Sequence, residues 1–194
     1  MRGKSNFLFF INTNPIFINQ HKARKLIMAN SQKAWAVRAK PHHNDHLDEF
    51  LDNDIVGIGW PDMGDLIGRD KDDIREIYED IYNESPDSES GRQAVGTIDR
   101  FANQIEAGDP IVVPTEDGMI FGEAISDYYY DEDCVDEEDA FPHRIEVKYK
   151  FGKQPIPWDK LPPELERCRT AQLSVFEVDY DAVMDVINNP GKYR

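Results

Sequence analysis

Glu146 and Lys148 are separated by one residue. In metal-dependent nucleases this E-x-K spacing lets a carboxylate bind Mg²⁺ while an ammonium steadies the attacking water. Asp127, Asp131 or Asp139 would be the upstream carboxylate partner. The segment from Arg144 to Tyr149 also alternates charged and apolar residues, as a strand with one solvated face does, and that plainer reading is preferred. His42, His43 and His46 cluster around Asp45. His42 and His46 stand four apart and would share a helix face, the arrangement of two zinc ligands on one helix. No cysteine is near and no HExxH is present, so solvent-facing histidines at a helix start are the expectation. Asp131 to Asp139 (DEDCVDEED) offers oxygens for Ca²⁺ or Mg²⁺ but lacks the glycine and terminal glutamate of an EF-hand loop, and reads as a solvated acidic loop. Cys134 within it has no reason to ionise, and no serine sits in a GxSxG elbow.

The aromatic residues point to binding instead of catalysis. Trp35 lies on a strand-like segment, Trp60 between Gly59 and Pro61, and Tyr128, Tyr129 and Tyr130 beside another strand. Such rings stack a planar base, with Arg38, Asp62 or a backbone amide bonding its edge. Core packing competes for each of them, least of all for Trp60, which sits in a glycine-rich loop. The loop GIGWPDMG is neither GxGxxG nor a Walker sequence, so its glycines do not read as a phosphate cradle.

These groups must be positioned by a chain of 194 residues, enough for one domain with a proper core. Lys plus Arg number 22 against 38 Asp plus Glu, a net charge of -16 that disfavours bulk duplex binding. Two cysteines support neither a disulfide scaffold nor a four-thiolate zinc site, and a reducing, cytoplasmic setting is expected. No run reaches the roughly 18 apolar residues of a membrane span, so no membrane partner is expected. Residues 1–27 carry Arg2, Lys4, Lys22, Arg24 and Lys25 and no acid. Phe7 to Ile11 is apolar, but Asn12, Asn14 and Pro15 cut it short of a signal peptide. Residues 1–32 are therefore expected to be a basic extension, either disordered or upstream of a native start near Met28, with the folded domain at 33–190.

Ala34 to Ala39 and Ile55 to Ile58 read as strands flanking a short helix from His42 to Leu51. Ile74, Ile77, Tyr78, Ile81 and Tyr82 follow the capping residue Asp70 at helical spacing, predicting a helix over 71–83. Val95, Ile98, Phe101, Ala102 and Ile105 mark a second helix ending near Gly108. Residues 110–114, 119–126, 144–151 and 173–178 are strand-like, with a short helix near 159–169 and a last one over 179–187. The order predicts an α+β domain around a curled antiparallel sheet or small barrel.

AWAVRA (34–39), IVGIGWPDMGDL (55–66), IDRFANQIEAGDPIVVP (98–114), FGEAISDYYYD (121–131), FPHRIEVKY (141–149) and LSVFEVD (173–179) occur in an order that resembles the PUA-like, EVE-related domain often found fused to Mrr-type restriction endonucleases. The resemblance implies a small antiparallel β-barrel with flanking helices, and recognition of a modified base in DNA or RNA through an aromatic-lined pocket. It places Trp35 and Arg38 on the family's opening W-x-x-R strand and Trp60 on its GIGW loop. Phe101 and Asn103 fall in RFAN, and Tyr130, Pro142 and His143 in the strand-loop-strand that follows. In this reading Trp60 and Trp35 stack the base, Arg38 supplies a charged hydrogen bond, and the backbone from Gly57 to Gly59 approaches the base edge, with Phe101 packed beneath. The long acidic loop departs from the family pattern and would repel a nucleic-acid backbone if it lay beside the pocket. The resemblance covers no nuclease domain. The expectation is a non-catalytic binding module that needs no cofactor or metal, with a nuclease as partner protein in a restriction or defence context. A sensor of free nucleotides using the same pocket, an interaction module, and a Mg²⁺-dependent nuclease through Glu146 and Lys148 are the alternatives.

Overall fold

The chain divides into two units between Gln32 and Lys33. A computed structural model describes residues 32–135 and 139–193. The expectation for the basic extension therefore falls, Gln32 apart, outside the described residues.

Among the described residues, eight strands and five α-helices make an α+β fold. The larger sheet holds β1 (Ala34–Val37), β3 (Pro110–Pro114), β4 (Gly118–Glu123), β7 (Ile156–Pro157) and β8 (Val175–Val178) in the order β7-β4-β3-β1-β8. The smaller holds β2 (Ile55–Ile58), β5 (Tyr129–Tyr130) and β6 (His143–Glu146) in the order β2-β6-β5. Every pairing is antiparallel except β1 with β3, which run parallel. An isolated bridge, Ala124 to Val147, and reciprocal backbone hydrogen bonds between Glu123 and Lys148 link the sheets. Two linked sheets, neither closed on itself, replace the single curled sheet expected. The physical reason lies in β4, whose free edge is divided: Gly118 and Met119 pair with β7, while Phe121 to Ile125 bond residues 146–150.

The larger sheet is buried on both faces, and the period of two sorts its side chains. Trp35, Val37, Ile111, Val113 and Ile120 enter one core. With them pack residues of α1 (Leu47–Asp52), α2 (Lys71–Tyr82) and α3 (Glu89–Asn103). Ala34, Ala36, Val112, Met119, Phe121 and Val178 enter a second core, which is completed by α4 (Arg167–Thr170) and α5 (Tyr180–Asn188).

Helix α2 starts where Asp70 predicted, in a capping box: the Asp70 carboxylate accepts from the Asp72 and Asp73 N–H groups, and Asp73 reaches back to the Asp70 N–H. The predicted helix from His42 to Leu51 is shorter than expected. It begins at Leu47, because His42 takes a left-handed φ of 51° inside a separate turn of 3-10 helix, Pro41–His43. His42 and His46 consequently do not share a helix face. The strand expected over 144–151 also stops early, at Glu146, where its partner changes from β2 to β4. Among the described residues no helix is long and apolar enough to cross a membrane.

Candidate functional site

A cleft of about 550 Å³ opens where the chain leaves β1 and β2. That volume suits a small organic ligand. One wall is the exit of β1, from Arg38 to His42, with Ser174 beside it. The other runs from Gly57 to Asp62, with Tyr82 at the end of α2. The walls meet at Gly59: a Cβ there would lie 2.7 Å from His42 Nε2, so a larger residue would have to displace the His42 ring. Gly57 is equally constrained, since its Cβ would lie 2.6 Å from the Phe141 ring.

Trp60 is half-buried and adopts φ 65° and ψ 51°, the left-handed region. For a bulky residue this conformation costs on the order of 1–2 kcal/mol and persists only where its surroundings enforce it. The enforcement comes from below. His143 is fully buried, and its Nε2–H donates to the Trp60 carbonyl at 3.0 Å. Its Nδ1 accepts from the Tyr128 hydroxyl at 2.9 Å, and that hydroxyl accepts from the Leu66 N–H at 3.2 Å. The Tyr130 hydroxyl donates to the Pro61 carbonyl at 3.1 Å. A carbonyl partner fixes the imidazole as the Nε2–H tautomer, which is neutral. Burial lowers the His143 pKa below the ordinary histidine value, in keeping with that state.

The cleft carries both signs of charge. Arg38 is held by its Nη2, which donates to the carbonyls of Cys168 and Arg169 at 3.1 and 3.2 Å, near the C-terminal end of α4. Its Nε is buried and has no hydrogen-bond partner. Lys40 and Asp62 are exposed. The Tyr82 hydroxyl is pushed up to about 12, chiefly by burial and then by the Asp62 carboxylate, so it remains a donor at neutral pH. His42 donates from Nε2 to the Ala140 carbonyl at 2.9 Å. Asn44 donates to the Asp139 carboxylate at 2.6 Å. The end of the acidic stretch thus borders the cleft on its His42 side.

Of the residues expected to bind a ligand, the structure brings Arg38, Gly57, Gly59 and Trp60 together in this cleft. Trp35 is elsewhere: it is 1% exposed, and its indole N–H donates to Asp109 at 2.9 Å, so it is a core residue with its polar edge satisfied. Phe101 is fully buried, edge-on to Tyr128 with ring centroids 6.4 Å apart. Asn103 bonds Asp99 and lines a separate shallow groove with Ile67, Ala107 and Tyr128. Tyr130 and His143 support the Trp60 loop from behind and do not line the cleft. Lys40, Tyr82 and Ser174 were missed. Lys40 was open to detection, standing two residues beyond Arg38 on the segment that leaves β1.

The catalytic candidates do not assemble. Glu146 and Lys148 are exposed, Asp131 pairs with Arg144, Asp127 accepts from the Ala107 N–H, and Asp139 is engaged by Asn44. His46 pairs with Glu49. Among the described residues no group of three or more His, Cys, Asp or Glu side chains is placed to hold a metal ion. Cys168 is buried, which pushes its thiol up to about 11.

Residues 35–178 match the profile of a domain of unknown function, DUF8426. No curated protein matches the chain.

Proposed function

The chain belongs to the DUF8426 family, a domain of unknown function, and for this member we propose a non-catalytic module that binds a planar nucleobase, modified bases included, in the cleft at Trp60. The carrying observation is the strained Trp60 backbone held by a buried, fully bonded histidine. Strain of this kind is maintained where a side chain must be presented in one orientation. Trp60 supplies a stacking face, while Asp62 and the Tyr82 hydroxyl supply an acceptor and a donor for a base edge. The glycines of the β2 exit bring the backbone close to the same space.

The resemblance of residues 33–179 to PUA-like, EVE-related domains supports this reading and adds a context, base recognition on behalf of a nuclease partner. Kinship with their barrel is part of the proposal, resting on the shared order of segments and on the bridge that joins the two sheets. No chemical step is assigned to the chain.

The test is a titration followed by tryptophan emission. Its ligands are the common ribonucleosides and deoxyribonucleosides together with 5-methylcytidine and N6-methyladenosine. A saturable change for at least one base, abolished in Trp60→Ala while circular dichroism is retained, is the expected result. No response from any base would overturn the reading.

A further inference from the structure

We infer that the cleft takes a free nucleoside 5′-phosphate, its phosphate seated between Arg38 and Lys40. The inference rests on the base-binding reading and names the ligand class for that site. Arg38 and Lys40 are two apart on the segment that leaves β1, and both line the cleft. Neither forms an ion pair among the described residues, although acidic side chains outnumber basic ones 38 to 22 in the chain. Two neighbouring cations without a carboxylate, in so acidic a protein, leave a place for an anion from outside.

The guanidinium is also oriented for the task. Two carbonyls beyond the β-sheet hold its Nη2, and its Nε is a buried donor with no protein partner. Such a donor is costly unless a ligand oxygen or water meets it. Ser174, whose carbonyl accepts the Arg38 N–H at 2.9 Å, adds a hydroxyl to the same wall. Charge-assisted bonds from a guanidinium and an ammonium are the usual seat of a phosphate. The opposite wall carries Trp60, Asp62 and Tyr82, so base and phosphate would face different walls of one cleft.

A polymer fits less well. Asp139 and Ala140, closing the acidic stretch, stand against Asn44 and His42 at the border of the cleft. A phosphodiester backbone leaving the cleft on that side meets like charge within a Debye length of about 8 Å at physiological salt. A single phosphate between Arg38 and Lys40 does not have to pass there.

The experiment measures binding to the full chain by calorimetry. Each nucleoside used above is compared with its 5′-monophosphate and with a ten-residue single strand of the same base. The monophosphate is expected to bind at least about tenfold more tightly than the nucleoside, the gain falling with added salt, as charge-assisted contacts require. Lys40→Glu alters an exposed side chain outside the fold's packing and is expected to remove that gain. Equal affinity of nucleoside and monophosphate, or a preference that survives Lys40→Glu, would overturn the phosphate seat and leave base binding standing. Tighter binding of the single strand than of the monophosphate would overturn the free-nucleotide assignment in favour of a nucleic acid. Binding of none of them would overturn both readings together.

Discussion

Strand β6 has two faces with opposite fates. Outward, Arg144 pairs with Asp131 and lies over Phe141 with its guanidinium carbon 5.0 Å from the ring centroid, and Glu146 stands in solvent. Inward, His143 and Ile145 are fully buried. The E-x-K spacing lies on the outward face, and among the described residues no cluster able to hold a metal ion forms around it. The inward histidine touches no cleft space yet fixes the backbone that presents Trp60. A chemically suggestive residue gains its role from what confines it. An acid and a lysine in water are solvated charges, whereas an imidazole with both nitrogens bonded in a core is a structural hinge pin.

Substitutions on the inward face should therefore be expensive. His143→Leu strands the Tyr128 hydroxyl and frees the Trp60 carbonyl, and is expected to cost about 3 kcal/mol in urea unfolding, with ligand binding at Trp60 weakened as well. A loss no larger than that of a surface substitution would erase the contrast between the faces.

Gly57→Ala tests the neighbouring strand. The new methyl meets the Phe141 ring, and a cost of about 2 kcal/mol from overpacking is expected, read as a lowered midpoint of thermal unfolding. An unchanged midpoint would mean that Phe141 swings aside freely.

A smaller effect follows from pH. Burial lowers the His143 pKa in the folded chain, whereas an unfolded histidine titrates near about 6.5. Between the two values the unfolded chain takes up the proton first, so this contribution is complete above the unfolded value and is lost as pH falls through the folded one. Urea midpoints compared between the parent and His143→Leu should show the parent losing more stability on acidification. Parallel pH profiles would assign the acid sensitivity to other groups.

The least effect belongs to the outward face. Glu146→Gln and Lys148→Gln should each change stability by less than about 0.5 kcal/mol, as exposed substitutions do, and leave nucleoside binding unaltered. Mg²⁺-dependent cleavage of DNA or RNA that disappears in either variant would restore the catalytic reading of the pair.

The sequence made much of this legible where period or punctuation was strong. Strand β2 lies at Ile55–Ile58 as read, and α2 runs from Lys71 to Tyr82 behind its cap. Arg38, Gly57, Gly59 and Trp60, which the family resemblance had grouped in one site, line the same cleft. The rest depended on tertiary structure. A strand buried on both faces carries no sign of which large residue meets a ligand, and Trp35 was misjudged for that reason. His42 broke the expected helix through a left-handed backbone that few non-glycine residues adopt. Tyr82 and Ser174 reach the cleft from distant segments, and nothing local to either announced it.

The anchoring of Arg38 has a consequence for the order in which the molecule is assembled. Its Nη2 donates to the carbonyl of Cys168, 130 residues later in the chain. Strand β1 likewise takes β8 as one of its two neighbours. Contacts spanning so much sequence bear the largest loop-closure entropy and form late. On a ribosome, where N-terminal segments emerge first, the glycine-rich wall is synthesised long before the carbonyls that hold its arginine opposite. The cleft in its observed form is thus incomplete until the carbonyls of Cys168 and Arg169 are in place.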